Sequence, residues 1–150
     1  MKGFIRQALT TILIALVIFL GLQTTLQSSI VLGSSMGPNF ETGQRLIVDK
    51  VTYRFGDVKR GDVVILRPPS NSSVDYIKRV IALPGETVEI KDGLVYIDGD
   101  PLSEPYIFDS PRYIMKAVEI PEGYCFVLGD NRNSSNDSPF CYCINRWSHL

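Results

Sequence analysis

A mostly-β domain hung on one N-terminal membrane helix is the fold class this sequence predicts. Three observations lead there. An uncharged, largely apolar run fills Ala8 to Leu26, close to the start of the chain. After Arg45, short apolar runs rich in β-branched residues alternate with Gly, Pro and Asp turns. Asp92-Gly93, between two such runs, is the strongest short hairpin signal in the chain. With 150 residues there is room for one domain plus an anchor. The net charge is -1 and no basic stripe appears, which argues against nucleic acid as a partner.

The apolar run reaches roughly the 20 residues a bilayer helix needs. Its threonines are tolerable, because a hydroxyl can bond back to a carbonyl of the preceding turn. A cleaved signal peptide would share the charged start and apolar core, but Gly21-Leu22-Gln23-Thr24-Thr25-Leu26 lacks the small residues of a cleavage site. A buried helix of a soluble protein would not need so unbroken an apolar run. Lys2 and Arg6 precede the run and no base follows until Arg45. That bias predicts residues 1–7 in the cytoplasm, a membrane helix over 8–26, and residues 27–150 as one domain on the far side, periplasmic, extracellular or lumenal.

Strands are expected in order along that domain. Leu46, Val48 and Val51 open the first extended piece. Val63 to Leu66 is a short apolar run, followed by a polar loop that starts at Pro68-Pro69. Asp75 to Leu83 is closed by Pro84-Gly85. Thr87 to Lys91 and Leu94 to Asp98 flank Asp92-Gly93, and Asp98-Gly99-Asp100-Pro101 is another turn. Tyr113 to Ile120 and Tyr124 to Leu128 are parted by Pro121-Glu122-Gly123. Such spacing predicts a coiled antiparallel sheet or partly open barrel.

Two residues in this layout can do chemistry together. Ser35 lies in Gly33-Ser34-Ser35-Met36-Gly37-Pro38, soon after the apolar run. Lys78 lies inside a strand, in Tyr76-Ile77-Lys78-Arg79-Val80-Ile81. Strand alternation puts Tyr76, Lys78 and Val80 on one face and Ile77, Arg79 and Ile81 on the other. An aromatic and a branched neighbour on its own face would favour the neutral amine over the ammonium. A neutral amine beside a serine hydroxyl makes a nucleophile, the Ser-Lys variant of the catalytic triad. An ordinary surface lysine on a half-exposed strand is the competing reading.

Three separated motifs turn that balance. Ser35-Met36-Gly37-Pro38 resembles the nucleophile motif of the type I signal peptidases. The stretch from Tyr76 to Glu86, Tyr-Ile-Lys-Arg-Val-Ile-Ala-Leu-Pro-Gly-Glu, resembles their lysine motif. Gly129-Asp130-Asn131-Arg132-Asn133-Ser134-Ser135-Asn136-Asp137-Ser138 resembles their late acidic motif, and Gly61-Asp62-Val63-Val64 matches a further shared stretch. The segment between Ala82 and Gly129 is similar to that of compact members without a large inserted second domain. The resemblance implies a membrane-bound serine endopeptidase that removes leader peptides from exported proteins. It implies Ser35 as nucleophile and Lys78 as general base, with Ser135 orienting the amine and Asp137 holding that loop. Asp130 paired with Arg79 would be structural. The Ser35 backbone N–H would serve the oxyanion. Signal-peptide-bearing precursors, membrane lipid and contact with the secretion machinery are the implied partners, with no metal or organic cofactor. An extended substrate strand with small side chains before the cut belongs to the same implication.

Two departures from the family pattern stand out. Some members have an oxyanion-donating serine two residues before the nucleophile, whereas this chain has Gly33 and resembles other members there. From Pro139 onward the family's aromatic-glycine strand is replaced by Phe-Cys-Tyr-Cys-Ile-Asn-Arg-Trp-Ser-His-Leu, so the C-terminal part is expected to be atypical or shortened, with less stability or activity. A catalytically impaired, membrane-tethered peptide-binding relative is therefore the alternative. Another Ser-Lys protease, such as a self-cleaving repressor, would be soluble and carry a DNA-binding part. The cysteines, Cys125, Cys141 and Cys143, cannot all pair within one chain, and which of them pair is open. Together with His149 they match no paired C-x-x-C zinc pattern. His149 is the only histidine and sits next to the chain end, a poor place for a triad base.

Overall fold

The fold is taken from a computed structural model, which describes residues 2–51, 56–66, 75–135 and 142–144. The polar loop expected after Leu66 lies outside the described residues, as do Asp137, Pro139, Cys141 and His149. One helix, α1 (Lys2–Thr25), opens the chain. The strands that follow are β1 (Leu26–Ile30), β2 (Arg45–Asp49), β3 (Val63–Leu66), β4 (Tyr76–Ala82), β5 (Thr87–Lys91), β6 (Leu94–Ile97), β7 (Asp100–Pro101), β8 (Met115–Glu119), β9 (Tyr124–Leu128) and β10 (Tyr142–Ile144).

Within α1 the span Gly3–Gly21 is long and apolar enough to cross a bilayer, and none of it is buried against the rest of the chain. The helix begins at Lys2 rather than Ala8, because nothing in Lys-Gly-Phe-Ile-Arg-Gln breaks it. It stops one residue before the expected end. Leu26, counted into the apolar run, already belongs to β1, which pairs antiparallel with β2 from Leu26↔Asp49 to Ile30↔Arg45. The Lys50 backbone N–H donates to the Thr25 carbonyl at 2.9 Å and so caps the end of α1. β2 ends at Asp49, short of Val51, where the Asp49 carboxylate accepts the Val51 N–H at 2.7 Å.

Two four-stranded antiparallel sheets follow, in the orders β10-β9-β4-β3 and β7-β6-β5-β8. They are coiled sheets and do not close into a barrel. Asp92 and Gly93 both take positive φ in the β5–β6 turn, as the dipeptide demands. Asp98 and Gly99 do the same and fold the short β7 back onto β6. One core joins the two sheets: Ile81, Ala82, Phe126 and Leu128 from the first meet Val88, Ile90, Val95, Ile97 and Met115 from the second. Each such side chain contributes roughly 1.5–3 kcal/mol by leaving water. A second cluster, Val64, Val80, Cys125 and Val127, lies on the other face of β4 and β9. A bulge between Val80 and Ala82 breaks the alternation of β4, so Ile81 and Ala82 both enter the first core. The C-terminal strand is short: β10 pairs with β9 over three residues, with Cys143 across from Cys125.

Candidate active site

Strand β4 carries the lysine. Lys78 is 6% exposed and pairs with Val64, on the same face as Val80. On that face lies the second core cluster. A lysine so enclosed is a costly placement unless the amine is paired or neutral. Arg79 points to the opposite face. It forms a two-bond ion pair with the buried Asp130, Nε to Oδ1 at 2.8 Å and Nη2 to Oδ2 at 2.7 Å, and donates from Nη1 to the Gly61 carbonyl at 2.8 Å. Its guanidinium also lies over the Tyr106 ring, 4.2 Å from the centroid. The hydrogen bond to Asp130 raises the Arg79 pKa against the opposing effect of burial.

Ser35 sits, half-buried, in a turn that spans residues 33–40. The Gly37 N–H donates to the Ser34 carbonyl and the Phe40 N–H to the Met36 carbonyl, while Met36 is buried beneath. Gly33 has φ +91, a left-handed conformation that a side chain would strain, and its carbonyl accepts from Thr42 Oγ1 at 2.8 Å. The backbone thus calls for glycine at position 33.

The late motif brings these pieces together. The Asn131 backbone N–H donates to the Ser35 carbonyl at 3.0 Å, and Asn131 Nδ2 donates to the Ser34 carbonyl at 3.2 Å. Gly129 is the seat of this contact. A Cβ there would run into the Ser35 carbonyl oxygen and lie 2.9 Å from Ser135 Cβ and 3.1 Å from Ser135 Oγ. β4 and β9 pair Val80↔Val127 and Arg79↔Leu128, so the last pair of that register stands next to Lys78 on one strand and Gly129 on the other. Ser35 and Ser135 therefore meet at Gly129, one residue past the end of β9. Asp130 lies on the other side of the strand with Arg79. Asp137 is outside the described residues.

Gly129→Ala should for that reason lower stability by about 1–3 kcal/mol, because the clash is with backbone rather than a flexible side-chain end. The same displacement of the Ser35 turn should cut turnover about 100-fold. Thermal unfolding and a precursor-cleavage assay measure both, and an Ala variant that behaves as wild type would show that the loop has slack.

Sequence reading missed the second ion pair. Arg132 and Glu104 are 28 positions apart, Glu104 in a loop with no motif of its own. Arg132 Nη1 and Nη2 bind Glu104 Oε2 and Oε1 at 2.8 and 2.5 Å, and Nε donates to the Gly129 carbonyl at 3.0 Å. Tyr106 donates its hydroxyl to Glu104 Oε1 at 2.8 Å. Burial lowers the Arg132 pKa, but the Glu104 carboxylate outweighs it and the net shift is upward. Burial, then the Glu104 charge, raises the Tyr106 pKa, so the phenol stays protonated.

A pocket is lined by residues 29–32, Leu46, Ile65 and residues 75–77. Two of these segments precede Ser35 and Lys78 in the chain. Among the described residues no cluster of three or more His, Cys, Asp or Glu is placed to hold a metal ion.

Comparison with known proteins gives concordant matches. Residues 4–148 match the family model described as signal peptidase, peptidase S26. A probable signal peptidase I-1 from Synechocystis sp. is 44% identical over 90% of this chain and 73% of its own length. A signal peptidase I from Bacillus licheniformis is 38% identical over 91% of this chain and 79% of its own. A crystal structure of a signal peptidase I from Enterococcus faecalis, 33% identical, aligns with 60% of this chain and 92% of that one at a TM-score of 0.48. With the family model covering nearly the whole chain, the protein belongs to the signal peptidase family, peptidase S26, and is a serine endopeptidase.

Proposed function

We propose that this chain is a membrane-tethered signal peptidase that works through a Ser35–Lys78 dyad. The observation that supports the reading is the meeting of Ser35 and Ser135 at Gly129, which follows Leu128, the partner of the residue next to Lys78. Ser35 Oγ attacks the scissile carbonyl carbon while the Lys78 amine takes the hydroxyl proton. The oxyanion that forms is met by the Ser35 backbone N–H. As the C–N bond breaks, the Lys78 ammonium gives its proton to the leaving amine. Water, deprotonated by the same amine, then releases the acyl group from Ser35. Ser135 orients the amine, Asp137 supports the loop, and the Arg79–Asp130 pair holds the strand.

The pocket lined by residues of β1, β2, β3 and β4 would take part of an extended peptide, whose main chain would add along a strand edge and so fix the register of the cut. Anchoring is supported by α1 and by the hairpin that continues it. Leu26, Ile30 and Ile47 share one exposed face of β1–β2, and Leu32 beyond it is 76% exposed. That face suits lipid, and it keeps an anchored catalyst close to an anchored substrate. The charge bias around α1 places the domain on the side of the membrane away from the cytoplasm.

Incubation of the detergent-extracted protein with a leader-bearing precursor, followed by mass spectrometry, tests the reading. A single cut after the leader is expected, and Ser35→Ala should slow it at least about 10³-fold. Undiminished cleavage by Ser35→Ala would sink the proposed nucleophile. A serine-directed acylating probe that marks wild type and Ser35→Ala equally would favour the catalytically impaired, peptide-binding reading.

A further inference from the structure

We infer that Asn39 is a positioning residue, whose side-chain amide clamps the nucleophile turn to the Asp130 carboxylate and so holds Ser35 in place against Lys78. The inference rests on the dyad reading above. Asn39 follows Ser35 by four residues in the same turn. Hydrogen bonds from Gly37 to Ser34 and from Phe40 to Met36 brace that turn, so a hold on residue 39 is transmitted to residue 35.

The amide has two N–H donors, and both are used. Asn39 Nδ2 donates to the Tyr106 carbonyl at 2.7 Å and to Asp130 Oδ2 at 2.8 Å. Both neighbours are acceptors, which fixes the amide orientation. Asp130 Oδ2 is also the oxygen bound by Arg79 Nη2. One carboxylate thus holds the residue next to Lys78 on one side and the turn of Ser35 on the other. Asn131 grips the front of the turn through the Ser34 and Ser35 carbonyls, and Asn39 ties its back. Without that second tie the turn can pivot about residues 34 and 35, and the hydroxyl moves with it.

Asn39 itself is exposed, so its truncation leaves no cavity and does not disturb either core. Arg79 still neutralises Asp130 when the amide is gone. The charged and titratable groups that face the amide are Asp130, Arg79 and Tyr106, with Glu104 and Arg132 behind Tyr106. Asn39→Ala removes the clamp. Asn39→Asp replaces a donor by a carboxylate aimed at Asp130, an unfavourable pair of like charges.

The test uses the full chain in detergent, with active sites counted by an acylating probe and a leader-bearing precursor assayed across pH. Asn39→Ala should lower kcat per counted site about 10- to 100-fold, with KM changed less than about 2-fold. Asn39→Asp should be slower still at high pH, and the ratio of its kcat to that of Asn39→Ala should rise as pH falls. Protonation of the new carboxyl restores a donor to Asp130, and the ratio cancels any titration the two variants share. A purely structural role for Asn39 would change the number of active sites and the thermal midpoint, and leave both kcat per site and the pH-dependence of the ratio untouched. That result, or Asn39→Ala within about 2-fold of wild type in kcat, would overturn the inference. Should Asn39→Ala not fold, Asn39→Asp is compared with wild type, and a pH-independent ratio there overturns it as well. If Ser35→Ala is inactive while the Asn39 variants behave as wild type, only this inference fails. If Ser35→Ala still cleaves, the dyad reading fails.

Discussion

Lys78→Arg should reduce precursor cleavage by about 10³-fold or more while the domain stays folded. A guanidinium does not give up its proton at any pH a protein survives, so it has nothing with which to accept the proton of Ser35. Its planar fork is also larger than the ammonium group it replaces, on a residue that is 6% exposed. Lys78→Met separates the two effects. It keeps the length of the side chain, removes the charge, and sits opposite Val64 beside an apolar cluster. This variant should be equally inactive while the domain stays folded, since an unbranched apolar side chain of similar length fits beside that cluster. The double variant Ser35→Ala/Lys78→Met should be no slower than either single one, since two groups that act as a unit are lost together. Single-turnover cleavage and thermal unfolding report the outcome, and turnover retained in Lys78→Arg would remove the lysine from the reaction.

Glu104→Ala should lower the unfolding free energy by about 3–5 kcal/mol. The side chains of Arg132 and Glu104 are 0% and 4% exposed, and each guanidinium Nη has one carboxylate oxygen. Truncation leaves a cation inside the protein without its counter-ion, which is the expensive way to break a buried pair. It also strands the Tyr106 hydroxyl, which donates to the same carboxylate. Glu104→Gln keeps the shape and one acceptor and should cost less. Chemical denaturation compares the three proteins. A loss below about 0.5 kcal/mol for Glu104→Ala would mean the pair behaves as a surface contact. Because Arg132 also holds the Gly129 carbonyl, the seat of Ser35 should loosen in the same variant.

Much of this architecture is legible in the sequence because it is local. Asp92-Gly93 dictates its own turn, and Thr87–Lys91 forms a strand with the bounds that its pattern suggests. Alternation alone assigns Lys78 and Arg79 to opposite faces of β4, and the second face is where Asp130 lies. β1 is less legible, since Leu-Gln-Ser-Ser-Ile has little strand character by itself and extends because β2 pairs with it. The bulge at Ile81 leaves no mark in composition. Glu104 and Tyr106 carry no motif, and their role appears only when the chain brings them to Arg132 and Arg79. Gly129 reads as one letter of a motif. The reason for it, a serine carbonyl packed where a side chain would go, is a distance in space.

Thr25 passes straight into β1 without a linker, and the Lys50 N–H ties that junction down. Ser35 lies ten positions beyond the end of the helix, a contour of about 35 Å at most. If the proposed anchoring and dyad hold, an enzyme mounted this way would act as a measuring rod. Its reactive group would be carried at a set height over the lipid, and a precursor would be cut where its own chain reaches that height.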